Sequence, residues 1–133
     1  MGAMFEHYDL TSRKAVFHAL QTAKARGGTS IATEHLLLGL AQADPGLVAA
    51  VHKSSGSSGA ALAAEIDRLA PAAAPEGSRP DLPLAPDALE VLRSAAEGGG
   101  TISTRRILGA LLQNPGVART ALLNVGIQEQ HLP

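Results

Sequence analysis

Thr33-Glu34-His35 is the tripeptide with the most chemical potential in this sequence. It stands just before an apolar run, where a helix should open. Unpaired backbone N–H groups and the helix dipole favour an anion there. A carboxylate one residue inside the cap can also grip a guanidinium with two prongs. The plainer reading is that Thr33 caps the helix and Glu34 complements its dipole. His35 invites a metal or proton-transfer role, but His7, His18, His52 and His131 form no His-x-x-x-His pair with it or with one another. Without a second ligand at helical spacing, a packed and hydrogen-bonded histidine is the expectation. Ser54, Ser55, Ser57 and Ser58 lie in a glycine-bearing stretch with no Gly-x-Ser-x-Gly elbow, and are expected to be too mobile to be held against a base. Glu65 and Asp67 stand two apart on an expected helix, facing different ways, a poor acid–base pair. These residues point away from catalysis and metal chemistry and towards binding.

Composition narrows the classes further. The 133 residues suit one domain, and the absence of cysteine removes disulfides, thiolate zinc sites and cysteine nucleophiles. Eleven Lys and Arg against twelve Asp and Glu give a net charge of −1, without the basic face that a nucleic-acid binder needs. One Tyr, two Phe and no Trp leave no stacking platform for single strands. The apolar run Leu36 to Ala43 is far too short to span a bilayer, and Glu6, His7 and Asp9 interrupt any leader-like apolar core. A cytoplasmic protein without cofactor or metal, contacting neither nucleic acid nor membrane, is expected.

The elements that must position these residues are all helical. Ala15, Val16, Ala19, Leu20 and Ala23 form one stripe of a helix over Thr11 to Arg26, ended by Gly27-Gly28. Helices are expected at Thr33 to Ala43, Leu47 to Lys53 and Ala60 to Leu69, with Asp44-Pro45-Gly46 and the Ser54 to Gly59 stretch between them. Pro71, Pro75, Pro80, Pro83 and Pro86 mark a linker. Pro86 then suits the first position of a helix to about Glu97, followed by helices at Thr104 to Gln113 and Val117 to Asn124 and a weaker turn near Gln128 to His131.

The same pattern is written twice. Ile31-Ala32-Thr33 corresponds to Ile102-Ser103-Thr104, Leu37 to Leu108, Leu40 to Leu111 and Gln42 to Gln113, all 71 positions on, and Asp44-Pro45-Gly46 corresponds to Asn114-Pro115-Gly116. Two helical units, each unable to bury its own stripe, should pack with pseudo-twofold symmetry. The expected architecture is an all-α domain over 5–132 with seven or eight helices: repeat one over 5–70, linker 71–85, repeat two over 86–132.

Phe5, Thr11 to Ala25 and Ile31-Ala32-Thr33-Glu34-His35-Leu36-Leu37-Leu38-Gly39-Leu40 resemble the N-terminal domain of Clp/Hsp100 unfoldases, nearest to the ClpC type. The family signature reads Ile-Gly-Thr-Glu-His-Leu-Leu-Leu-Gly-Leu. The second repeat departs from it: Thr104-Arg105-Arg106-Ile107-Leu108-Gly109-Ala110-Leu111 stands in its place, after a first helix about one turn short. The sequence has no Gly-x-x-x-x-Gly-Lys-Ser/Thr loop for nucleotide phosphates. It reads as an excised N-terminal domain or, given the eroded second repeat, a stand-alone Clp repeat protein.

The resemblance implies a non-catalytic module that engages adaptors or substrates of the Clp protease system. In ClpC-type domains the Thr-Glu pairs form pockets for phosphorylated arginine, so Thr33 and Glu34 are expected to retain one pocket, and Arg105 to spoil the other. The family's adaptor and cyclic-peptide surface lies between the repeats, which makes Phe5, Leu84 and Leu89 the expected rim, with closure of the pseudo-twofold core as their plainer role. The alternative function is a decoy that sequesters a peptide antibiotic or another small apolar ligand. Arg106, in the place of His35, is expected to solve the same packing problem differently or to be exposed.

Overall fold

Helix signals and the alanine stripe translate into seven α-helices and a final 3₁₀ turn in the computed structural model, which describes residues 6–75 and 81–133. The helices are α1 (Leu10–Ala25), α2 (Thr33–Ala43), α3 (Pro45–Ser55), α4 (Gly59–Leu69), α5 (Pro86–Ala96), α6 (Thr104–Gln113) and α7 (Val117–Asn124), followed by the turn Glu129–His131. Local chemistry sets their starts. Asp9 caps α1 by accepting from the Ser12 N–H, Asp44 caps α3 by accepting from the Leu47 N–H, and Ser58 caps α4 by accepting from the Ala61 N–H. Pro86 opens α5, as expected.

α1 and α2 pack unusually closely. The α1 stripe Ala15, Ala19 and Ala23 is buried, and Gly39 of α2 faces it so tightly that a Cβ there would lie 2.4 Å from the Ala15 carbonyl oxygen and 2.5 Å from the Ala19 nitrogen. Small residues on both helices let the backbones approach, and the flanking Leu36, Leu37 and Leu40 enter the common core with Ile66, Leu92, Ile107, Leu108, Leu111 and Leu122.

The two repeats are joined crosswise. Tyr8, before α1, bridges to Ile102, before α6: the Ile102 N–H donates to the His7 carbonyl and the Asp9 N–H to the Ile102 carbonyl. In the same way Leu84, before α5, bridges to Ile31, before α2, through Ile31 N–H to the Pro83 carbonyl and Ala85 N–H to the Ile31 carbonyl. The leading segment of each repeat thus completes the second helix of the other. On the far side, α4 and α7 are tied by Glu65, whose carboxylate accepts from Arg68 and from Asn124 Nδ2 (2.6 Å); these bonds hold its pKa down at about 2.

Three expectations need correction. α3 starts earlier and ends later than Leu47 to Lys53, because Asp44 and Pro45 initiate it and Gly56 ends it in the left-handed conformation (φ 74°). The Ser54 to Gly59 stretch is therefore a tight capped connection in which Ser55, Ser57 and Ser58 all make hydrogen bonds. α5 has 11 residues against 16 in α1, a difference of nearly a turn and a half rather than one.

Candidate functional site

Thr33 was expected to cap its own helix. The N-cap of α2 is instead Ala32, and Thr33 is the first helical residue, 1% exposed. Its hydroxyl reaches into the other repeat, where Oγ1 accepts the Ala118 N–H at 3.2 Å in the first turn of α7. The N-cap of α7, Gly116, has no side chain to do this, and a Cβ at Gly116 would lie 2.5 Å from Thr33 Oγ1. Thr104 does the reciprocal job. Its hydroxyl donates to Asp44 Oδ2 at 2.7 Å, while Oδ1 of the same carboxylate caps α3. The two threonines are cross-repeat struts, and Thr33 presents almost no surface to a ligand.

Glu34 follows in the first turn of α2, 8% exposed, and its Oε1 is buried with no hydrogen-bond partner among the described residues. A buried carboxylate oxygen lacking a partner costs stability, and it can be satisfied by a cationic donor that enters from outside. His35 beside it is structural. The Ala32 N–H donates to His35 Nδ1 at 2.9 Å, which leaves the ring neutral with its proton on Nε2. Burial lowers the His35 pKa; Arg26 pushes the same way, while Glu34 and Asp87 oppose it. The ring also packs against Gly28 after α1, where a Cβ would lie 3.2 Å from His35 Cε1.

Arg106 takes the place of His35 in the second repeat and closes the end of α5 by a different route. Its guanidinium donates to the carbonyls of Glu97 (2.6 Å), Gly99 (2.8 Å) and Thr101 (3.0 Å). The guanidinium, with several donors, gathers carbonyls of the connection between α5 and α6, whereas His35 accepts a single N–H. Arg105, in the place of Glu34, is exposed and donates to the Pro133 carbonyl.

Of the expected apolar rim, Phe5 lies outside the described residues. Leu84 and Leu89 are both half-buried, and Leu84 packs against the core. With Ala85 as the N-cap of α5, they occupy the positions flanking its first turn that a hydrophobic staple uses. The Leu84–Ile31 bridge brings the start of α5 to within three residues of Glu34 in sequence, so Leu84 and Glu34 are attached to the same cross-repeat junction. An open pocket of about 320 Å³ lies elsewhere, lined by Leu112, Leu123, Gln128, Glu129 and Gln130.

One pairing escaped the sequence reading. His52 Nδ1 lies 2.7 Å from Ser57 Oγ, and Ser57 Oγ lies 2.6 Å from Ser55 Oγ, so a serine does meet an imidazole at the α3–α4 turn. The five-residue spacing across Gly56 was the available signal. His52 Nε2 is buried, and this burial lowers the pKa. The group ties the turn together, and among the described residues no acceptor orients the ring from its other side as nucleophile activation requires. Among the described residues, no group of three or more His, Asp or Glu is placed to hold a metal ion, and no helix is long and apolar enough to cross a membrane.

A family model for the Clp repeat (R) N-terminal domain matches residues 7–124. The chain belongs to the Clp N-terminal domain family. Solved structures agree on the fold. The N-terminal domain of the caseinolytic-protease-associated chaperone ClpD from Arabidopsis thaliana superposes with a TM-score of 0.75 at 22% identity, over 95% of this chain and 92% of that one. The N-terminal domain of the ClpV1 ATPase from the E. coli EAEC Sci1 T6SS gives 0.73 at 22% identity, over 98% and 83%. A structure from a study of a malarial protein secretion system gives 0.77 at 19% identity, over 94% and 88%. Clp N-terminal domains are protein-interaction modules of Clp ATPases, and the crosswise helical repeat described above is this chain's version of that scaffold.

Proposed function

We propose that this Clp N-terminal domain engages adaptors or marked substrates of a Clp protease system without a covalent step, in the manner of the ClpC type, and that Glu34 anchors a cationic group of the ligand. The observation that carries the reading is the Glu34 carboxylate, held in the first turn of α2 with Oε1 buried and unpartnered among the described residues. A guanidinium supplies the donors that this oxygen lacks, and a phosphate on the same group suits the N–H-rich start of the helix. Leu84 and Leu89, attached to the same junction, offer apolar contact to the rest of the ligand. Thr33 acts by fixing the junction, since its hydroxyl is already engaged at α7.

Calorimetric titration with phosphoarginine and, separately, with a cyclic peptide of the kind that binds ClpC tests the reading. Saturable phosphoarginine binding at one site per chain, lost in Glu34→Ala and in Glu34→Gln, is the expected result. Glu34→Gln preserves the volume and removes the charge, which separates recognition from packing. Cyclic-peptide binding alone, weakened by Leu89→Ala, would favour the decoy function instead. Silence from both ligands refutes the assignment of Glu34.

A further inference from the structure

The outer face of α1 carries features that neither the core nor the Glu34 junction uses. Leu10 and Phe17 are 67% and 58% exposed, two of the three large hydrophobic side chains that stand out from the described surface. Single exposed apolar residues need no explanation. These two are seven apart on one helix, which puts them nearly in line and roughly 10 Å apart along the axis. Arg13, Lys14 and Lys24 lie within roughly 60° of that line at the helical pitch. The helix from Leu10 to Ala25 contains no Asp or Glu. At its start, the Asp9 carboxylate is engaged by the Ser12 N–H, and the Arg13 guanidinium is pinned to the carbonyls of Tyr8 and Glu6. In a chain of net charge −1, one helix face thus presents two apolar side chains among three cations.

We infer that this face is a second docking surface, and that its occupant is an acidic amphipathic segment of a partner protein, with two apolar side chains about two helical turns apart set between carboxylates. Charge complementarity selects this occupant. A second copy fits poorly, because twofold pairing of this face would oppose its own cations. An anionic membrane fits poorly as well, since the opposite face of α1 is locked in the core by Ala15, Ala19 and Ala23, and two side chains bury far less than an interfacial helix does. The surface adds to the interaction module and is independent of the Glu34 proposal.

The test is fluorescence anisotropy of the whole chain with a labelled helical peptide rich in glutamate and bearing leucines seven apart, against the same peptide with lysines for glutamates. Saturable binding of the acidic peptide alone is expected, weakening as salt rises. Phe17→Ser and Lys14→Glu should each reduce affinity by about tenfold or more. Both positions are exposed, so each variant should melt like the parent, and Glu34→Ala should bind the acidic peptide normally. Equal binding of the two peptides, no binding, indifference to both substitutions, or loss in Glu34→Ala would each overturn the inference. So would sedimentation with vesicles of anionic phospholipid that is lost in Phe17→Ser, or self-association in light scattering that the same substitution abolishes.

Discussion

Replacing Gly39 by alanine should drive α1 and α2 apart, and the cost can be worked from the contact itself. The new Cβ would lie 2.4 Å from the Ala15 carbonyl oxygen, 2.5 Å from the Ala19 nitrogen and 2.9 Å from Ala19 Cα. All three are backbone atoms, so no side chain can swing aside. Ordinary contact requires roughly 1 Å more, and opening the pair by that amount loosens the buried alanine stripe and the leucines beside it. Overpacking costs about 1–3 kcal/mol and should sit at the upper end where backbone is struck. Helix propensity returns about 1 kcal/mol, since alanine outranks glycine in a helix interior. The net loss is about 2 kcal/mol, a drop of roughly 6–10 °C in Tm for a domain of this size. Gly109 in α6 is the internal control. Its Cβ would meet only Leu132 Cδ2, at 3.8 Å, an ordinary contact. Gly109→Ala should therefore stabilise, by up to about 1 kcal/mol. Thermal and guanidinium melts followed by circular dichroism measure both variants. Two substitutions with the same sign, or a Gly39→Ala melt indistinguishable from the parent, would refute the close-packing account of the α1–α2 pair.

The cross-repeat struts give a second expectation. Thr33→Val should cost about 1–2 kcal/mol by leaving the Ala118 N–H unsatisfied. Gly116→Ala should destabilise the parent and do less harm in a Thr33→Ala background, where the clashing γ atoms are gone; a double-mutant cycle in denaturant reads the coupling. A third concerns pH. Burial depresses the folded-state pKa of His35 below the ordinary histidine value of about 6.5, so the unfolded chain takes up the proton first and folding stability is lost as pH falls below that value. Half-buried His52 contributes with the same sign. Denaturation midpoints should therefore decline between about pH 7 and pH 5, with a smaller slope in His35→Gln; an unchanged slope would show that His35 does not carry the effect.

Most helix boundaries were legible because their determinants are local. Pro86 marks the start of α5, Gly27 closes the turn after α1, and α2, α6 and α7 run over the residues expected from pattern alone. The family was legible for a related reason: its signature in Ile31 to Leu40 is a continuous stretch, and the match extends over residues 7–124. The candidate site was only half legible. Glu34 was singled out at a helix start, but the roles of its neighbours depended on partners far along the chain. Thr33 looked like a local cap because threonine before an apolar run usually is one. Arg106 was expected either to solve the packing problem of His35 differently or to be exposed, and only the structure puts its guanidinium on the carbonyls of Glu97, Gly99 and Thr101 between α5 and α6.

By itself the sequence determined where most of the helices begin and end, that they form two related units, and which residue types stand near each start. Capping, proline geometry and apolar period act within a few residues of one another, so a linear pattern contains them. Only the tertiary structure decided that each repeat completes the other: Tyr8 with Ile102, Leu84 with Ile31, Thr33 with Ala118 and Thr104 with Asp44. These pairs join residues 53 to 94 positions apart. Their formation depends on how closely Gly39 lets α1 and α2 approach and on where the core then places every other helix end. The outward turn of Leu10 and Phe17 has the same origin, because burial of the alanine stripe on one side of α1 leaves the opposite side to solvent.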